Sequence, residues 1–248
     1  MLTNSCLSSF STVSLKDIDS VKLMNRVDLK FAFNINKLPA LLSELNVFYN
    51  LLEVSGQKVQ SYKSLYYDTS NRVFFMKHHN ERVNRNKVRF REYVGSGLTF
   101  LEIKLKNNKG KTIKKRIRVD SIPNKLSKKD ELFINENVGE KLDLIPHQWI
   151  NFDRITFVDK LFTERLTMDL NLTFSKESQR DGFDNIVIAE IKQERSGSAS
   201  PFVRIAKKNH ILPFRLSKYC MSTIKLDPLI KQNRFKKKLL LIKKIQQE

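Results

Sequence analysis

Apolar and polar residues alternate strictly along much of this chain. The alternation marks 25–33, 57–69, 86–94, 98–106, 112–119, 153–159, 165–174 and 185–193 as strands. Gly95-Ser96-Gly97 and the stretch 107–110 are turn-rich and separate the third, fourth and fifth of these. A helical period predicts helices over 36–54, 69–82, 126–139, 200–210 and 217–226, with a short one over 14–24. The last stretch, 231–248, reads as a basic, partly amphipathic helix. The expected class is α+β, rich in antiparallel strands joined by short turns.

The polar side of these strands is charged. Arg89 and Arg91 share a side, as do Glu102, Lys104 and Lys106, then Lys114, Arg116 and Arg118. Arg154 and Thr156 oppose Ile155 and Phe157. Arg165, Thr167, Asp169, Asn171 and Thr173 oppose Leu166, Met168, Leu170, Leu172 and Phe174. A half-solvated sheet explains any one strand, but solvated faces usually mix signs. Between 82 and 118 stand thirteen Lys and Arg against Glu92 and Glu102. A carboxylate also recurs two residues before a lysine, at Asp28 and Lys30, Glu102 and Lys104, Glu190 and Lys192. In a strand that spacing puts both on one face.

If about eight such strands curl into a barrel, the charged faces point inward. Packed Lys and Arg would repel one another unless an anion neutralised them. Phosphate does so, taking forked bonds from Arg and point charges from Lys. The carboxylates would then hold Mg²⁺ or Mn²⁺, which take oxygen ligands and bridge phosphates.

Composition agrees. The 248 residues carry a net charge of +20, which suits a polyanionic partner. The length and the lack of a linker favour one domain. Cys6 and Cys220 have no metal-ligand spacing. No secretory signal pattern or membrane-length apolar run is found, so a soluble cytoplasmic protein is expected. No Ser-His-Asp or Cys-His arrangement, P-loop or kinase glycine loop is evident. RNA binding would place aromatic rings on the charged face. Phe90, Phe157 and Phe174 fall on the apolar side, so no nucleic-acid partner is expected.

The ordered pieces RVDLKF, SLYYDT, KVRFREY, FLEIKLK, DRITF, RLTMDL, AEIKQ and SKYC resemble the VTC domain, over roughly 8–226. That is the polyphosphate polymerase domain of the triphosphate tunnel, CYTH-like superfamily, and the N-terminal stretch looks like its stand-alone bacterial branch. The resemblance implies an antiparallel β-barrel tunnel of about eight strands with helices packed outside. It implies an enzyme of the phosphotransferase type, moving the γ-phosphate of ATP onto a polyphosphate chain with Mn²⁺ or Mg²⁺. Carried over motif by motif, Lys30, Arg89, Arg91, Lys104, Arg154, Arg165 and Lys218 should contact phosphate. Glu190 matches the metal-binding glutamate, with Glu102 as a second candidate and Lys192 beside Glu190. Lys115 or Arg116 fills one more basic position. The superfamily's ExExK signature is shortened here to Asp28-x-Lys30. Product export would need a separate membrane partner.

Two other activities share these features: hydrolysis of triphosphate or nucleoside triphosphates, and non-enzymatic polyphosphate binding. Asp169 reads either as a second metal ligand or as a partner for Arg165. His78 and His79 read as a surface pair on a helix. The tail 227–248 reads either as a solvated helix packing Leu239, Leu240 and Ile242 on the barrel, or as a helix adsorbed to an anionic inner membrane face.

Overall fold

The computed structural model describes residues 4–19, 26–109, 111–194 and 200–248. Its strands are β1 (Thr12–Val13), β2 (Arg26–Asn34), β3 (Tyr49–Leu52), β4 (Val59–Asp68), β5 (Arg85–Tyr93), β6 (Leu98–Lys106), β7 (Thr112–Val119), β8 (Ile145–Asp159), β9 (Glu164–Lys176), β10 (Gln179–Phe183) and β11 (Ile186–Glu194). Its α-helices are α1 (Asn4–Ser8), α2 (Leu15–Asp19), α3 (Leu38–Leu45), α4 (Val73–His79), α5 (Lys128–Val138), α6 (Pro201–Lys208), α7 (Lys218–Leu226) and α8 (Lys236–Gln246).

Eight strands form one path in the order β2-β11-β9-β8-β4-β5-β6-β7, every neighbouring pair antiparallel. The path curls strongly. Ser217 and Lys218, adjacent in sequence, reach Lys87 on β5 and Asp169 on β9, which lie three steps apart along it. The two end strands, β2 and β7, are not hydrogen-bonded to each other. The expected tunnel wall is therefore present as a curled sheet with an unpaired seam, and not as a fully closed barrel.

Helices cover the outer face. On one flank α1, α3 and α6 pack over β2, β11, β9 and the end of β8. Leu38, Leu41, Leu42 and Leu45 of α3 recur at helical spacing, and all are buried there. Burying each such side chain contributes roughly 1.5–3 kcal/mol. On the other flank Phe74 of α4 and Ile134 of α5 cover Leu65, Tyr67, Val88, Phe90, Leu101 and Ile103. Helix α5 starts at a reciprocal cap in which Ser127 and Asp130 satisfy each other's backbone N–H groups.

Helix α7 lies across one end of the curled sheet. Its Tyr219 stacks on Tyr66 of the charged face, with ring centroids 5.2 Å apart. Gln148 donates to Tyr219 O, Ser222 Oγ and Thr223 Oγ1 at 3.2, 3.0 and 2.7 Å. Ala32 and Ile188, at charged-face positions, join the same buried cluster. So the inner face is cationic along its middle and apolar where α7 seals it.

Several expectations change. The helix read over 36–54 stops at Leu45, and Tyr49–Leu52 is instead a strand paired with β8. Strands β1 and β10 do not appear in the sequence reading, and β8 begins at Ile145, not 153. The short helix read over 14–24 is seen as α2, and 20–25 lie outside the described residues. Residues 166–174 do not keep one apolar face. A bulge opposite Phe152, with Asn171 at φ 52°, shifts the register. Leu166, Met168 and Leu170 pack outward, whereas Leu172 and Phe174 join the α7 cluster. His79 is not on the surface. It is buried against Phe235, and its ring nitrogens meet Asn80 and Asn233. In α8, Ile242 and Ile245 are buried, while Leu240 and Leu241 face outward.

Candidate functional site: a cationic tunnel face

The inner face holds three ion-pair groups, each built on one carboxylate. Glu102 of β6 receives Arg89 Nε and Nη2 on one oxygen at 2.8 and 2.5 Å, and Lys114 reaches the other oxygen. Arg89 Nη1 also donates to the Tyr66 hydroxyl at 2.7 Å. Register places these side chains together, because Arg89, Glu102 and Arg116 are successive cross-strand partners on β5, β6 and β7. Burial alone would raise the Glu102 carboxyl, but Arg89, Arg91 and Lys114 together hold it well below the usual carboxylate range.

Asp169 of β9 anchors the second group. Arg154 on the neighbouring β8 forks onto it at 2.6 and 2.8 Å, and Lys218 at the first turn of α7 contacts the same carboxylate. Asp169 is thus the partner of Arg154 and Lys218. Burial opposes its ionised form, and Arg154 and Lys218 more than offset that. Glu190 of β11 makes the third group, with Lys30 at 2.5 Å and Lys192 at 2.7 Å. Arg165 stands opposite Lys192 in the strand register.

Positive charge remains in excess. Arg91 donates to Ser64 Oγ at 3.0 Å and lies over the Tyr62 and Phe152 rings, each 5.3 Å away. Burial, then Arg89, pushes its guanidinium down to about 10. Lys104 is crowded by Arg89, then by burial, then by Arg91, and is held well below the usual lysine value. Lys87 is half-buried, donates to Ser217 Oγ at 2.8 Å, and is lowered chiefly by loss of solvation. The carboxylates of this face do not neutralise these three.

Register also separates Lys115 from Arg116. Arg116 pairs with Glu102 and faces inward, whereas Lys115 pairs with Ile103 and faces the outer side. Of the two, Arg116 shares the inner face with the other cations and Lys115 does not. Lys87 and Lys114 were missed as site residues, although the same two-residue period contains both. Tyr62, Tyr66 and Phe152 were missed too. The absence of aromatics from the charged face does not hold: Tyr62, Tyr66, Tyr93, Phe100 and Phe152 share that face with the arginines.

Among the described residues no group of three or more His, Cys, Asp and Glu could cage a metal. All three carboxylates are engaged by cations; the Glu102 and Asp169 side chains are 0% and 3% exposed, and Glu190 is 19% exposed. Glu190 is therefore the most accessible of these three carboxylates, and Asp28, opposite Lys192 in the register, is exposed.

Residues 25–226 match the sequence profile of the VTC domain. No curated protein matches. A Hippeastrum protein described as a candidate adenylyl cyclase with a dominant triphosphatase activity superposes with a TM-score of 0.51 at 15% identity, over 80% of this chain and 95% of that one. A candidate adenylate cyclase from Vibrio parahaemolyticus gives a TM-score of 0.48 at 14% identity, over 80% and 99%. The fold is that of the triphosphate tunnel proteins.

Proposed function

This chain belongs to the VTC domain family, and from that premise we propose that it is a metal-dependent polyphosphate polymerase. It transfers the γ-phosphate of ATP onto a growing phosphate chain held against the inner face. The observation that carries this reading is the surplus of cations: the half-buried Lys87 and Lys104 and the buried Arg91 crowd the face beyond what Glu102, Asp169 and Glu190 offset. A chain of phosphates is a ligand whose charge, spacing and lack of hydrophobic surface suit such a wall.

In this reading Arg89, Arg91, Lys104 and Arg116 line one wall. Arg154, Arg165 and Lys218 line the other, with Lys30 and Lys192 flanking Glu190. Phosphoryl transfer needs in-line positioning and charge neutralisation more than covalent protein chemistry. Arg91 and Lys104 neutralise charge that develops on the transferring group. Arg154, fixed by its fork to Asp169, orients the chain. Glu190 would hold the metal, which would supply charge neutralisation to the phosphates. No helix among the described residues is long and apolar enough to cross a membrane; release of product across one would be the work of a membrane partner in this reading.

The test is incubation with ATP and Mn²⁺ of the unaltered protein and of Glu190→Ala. Polyphosphate is read on gels and free phosphate in solution. Long chains that vanish in the variant are expected. Free phosphate without chains would transfer the reading to a hydrolase of the same fold. Retained polyphosphate binding with neither product would leave a binding module.

A further inference from the structure

At the end of the wall away from α7, the inner face changes from cations to rings. Along β5 the inward positions run Arg85, Lys87, Arg89, Arg91, Tyr93, and Lys87 touches the α7 cap through Ser217. Along β6 they run Lys104, Glu102, Phe100, and along β4 Tyr66, Ser64, Tyr62. At about 3.3 Å per residue, Tyr93 lies roughly 20 Å along the strand from Lys87. It sits beside the β5–β6 hairpin tip, where Val94 is exposed.

Tyr93 forms tilted, T-shaped pairs with two neighbours. Its ring centroid lies 5.0 Å from Tyr62 and 5.9 Å from Phe100, at 60° and 83°. Tyr62 is stacked on Phe152 and flanked by Arg91 and Arg154. Arg116 lies over Phe100, 4.6 Å from its centroid. Among the described residues no cation lies over Tyr93, and both Tyr93 and Phe100 are half-buried. A part-exposed ring that no cation covers can take a further ring against its accessible side.

We infer that Tyr93, with Phe100 and Arg116 beside it, is a base-stacking shelf that lets this site recognise a nucleoside triphosphate and distinguish it from inorganic phosphate chains. The phosphates lie along Arg91, Arg89 and Lys104, and the base rests at the rim. An inorganic chain uses the same cations and leaves the shelf empty. The inference rests on the phosphate-binding reading of the inner face and adds to it the residues that select the donor.

The experiment is calorimetric titration with two probes, ATP and inorganic tripolyphosphate, in metal-free buffer so that neither is turned over. The unaltered protein is compared with Tyr93→Leu, which keeps apolar volume without a π-face, and with Tyr93→Phe, which keeps the ring. Base stacking on an aromatic side chain is worth enough that ATP affinity should fall about tenfold in Tyr93→Leu. Tripolyphosphate affinity should stay within about twofold, and Tyr93→Phe should bind both probes as the unaltered protein does. Equal losses for both probes would mark the ring as wall packing and overturn the shelf, as would no loss for either. If the unaltered protein bound no tripolyphosphate, the phosphate reading itself would fall and the shelf with it.

Discussion

Arg89 and Glu102 face each other across β5 and β6 with two hydrogen bonds to one carboxylate oxygen, in a place where Glu102 is sealed from solvent. The pair is a charge-assisted contact inside a wall that already carries too much positive charge. Its removal should therefore be felt in two ways.

In Glu102→Gln, Arg89 keeps a neutral acceptor but loses its counter-charge. Breaking a buried pair from one side typically costs about 3–5 kcal/mol. Because glutamine preserves part of the bonding and Lys114 can reach solvent, a loss of about 3 kcal/mol is expected in urea unfolding. Tripolyphosphate should recover more stability in this variant than in the unaltered chain, since it supplies the missing negative charge. An unchanged urea midpoint would refute the cost.

Lys104 sets a pH dependence of definite sign. Arg89, then burial, then Arg91 lower its proton affinity in the folded state well below the ordinary value of 10.5. Between the folded and ordinary values the unfolded chain binds more protons, so stability rises with pH through that window. Lys104→Met should be more stable than the parent near neutrality, and the gap should narrow as pH climbs toward 10.5. Urea midpoints from pH 7 upward read this directly. The same substitution should weaken tripolyphosphate binding. A stabilised variant with full binding would remove Lys104 from the site.

The acid limb has the opposite origin. Burial disfavours the ionised carboxyls of Glu102, Asp169 and Glu190, and their cationic neighbours overcome it, so all three are depressed. Their contribution is complete above the ordinary carboxylate range and is lost as pH falls through it toward the folded values. Thermal unfolding should therefore show a steep fall in Tm below about pH 4, shallower in Glu190→Gln than in the parent.

Arg154→Lys keeps one charge and loses the fork to Asp169. A positioned donor of this kind is worth about 10²–10³ in kcat. Steady-state turnover with ATP should fall by about a hundredfold, and tripolyphosphate affinity by much less. A loss confined to KM would mean that Arg154 binds without orienting.

Alternation was enough to read the charged wall from the sequence. It grouped Arg89, Arg91, Glu102, Lys104 and Arg116 correctly because a two-residue period survives on every strand that supplies them. It failed where the period breaks. Nothing local announces the bulge at Asn171, so Leu172 and Phe174 were assigned to the wrong side. Leu51 and Leu52 continue the apolar spacing of α3, so β3 was absorbed into that helix. The pairing of Asp169 with Arg154, and of Lys218 with Asp169, needs the register of two strands and the seating of α7. No sequence period carries that information. The rings were missed for another reason: Tyr62 and Phe152 count as apolar, yet they sit beneath guanidinium groups on the polar side.

The unpaired seam between β2 and β7 changes how a polymer can be engaged. A sealed ring can only be threaded, so a long molecule must first present a terminus. A wall with a slit can also be laid over the middle of a strand, like a clip over a cord. Arg116 and Arg118 lie exposed on β7 at that border. If the inner face does hold a polymer, a molecule met along its middle would need no loose end to enter.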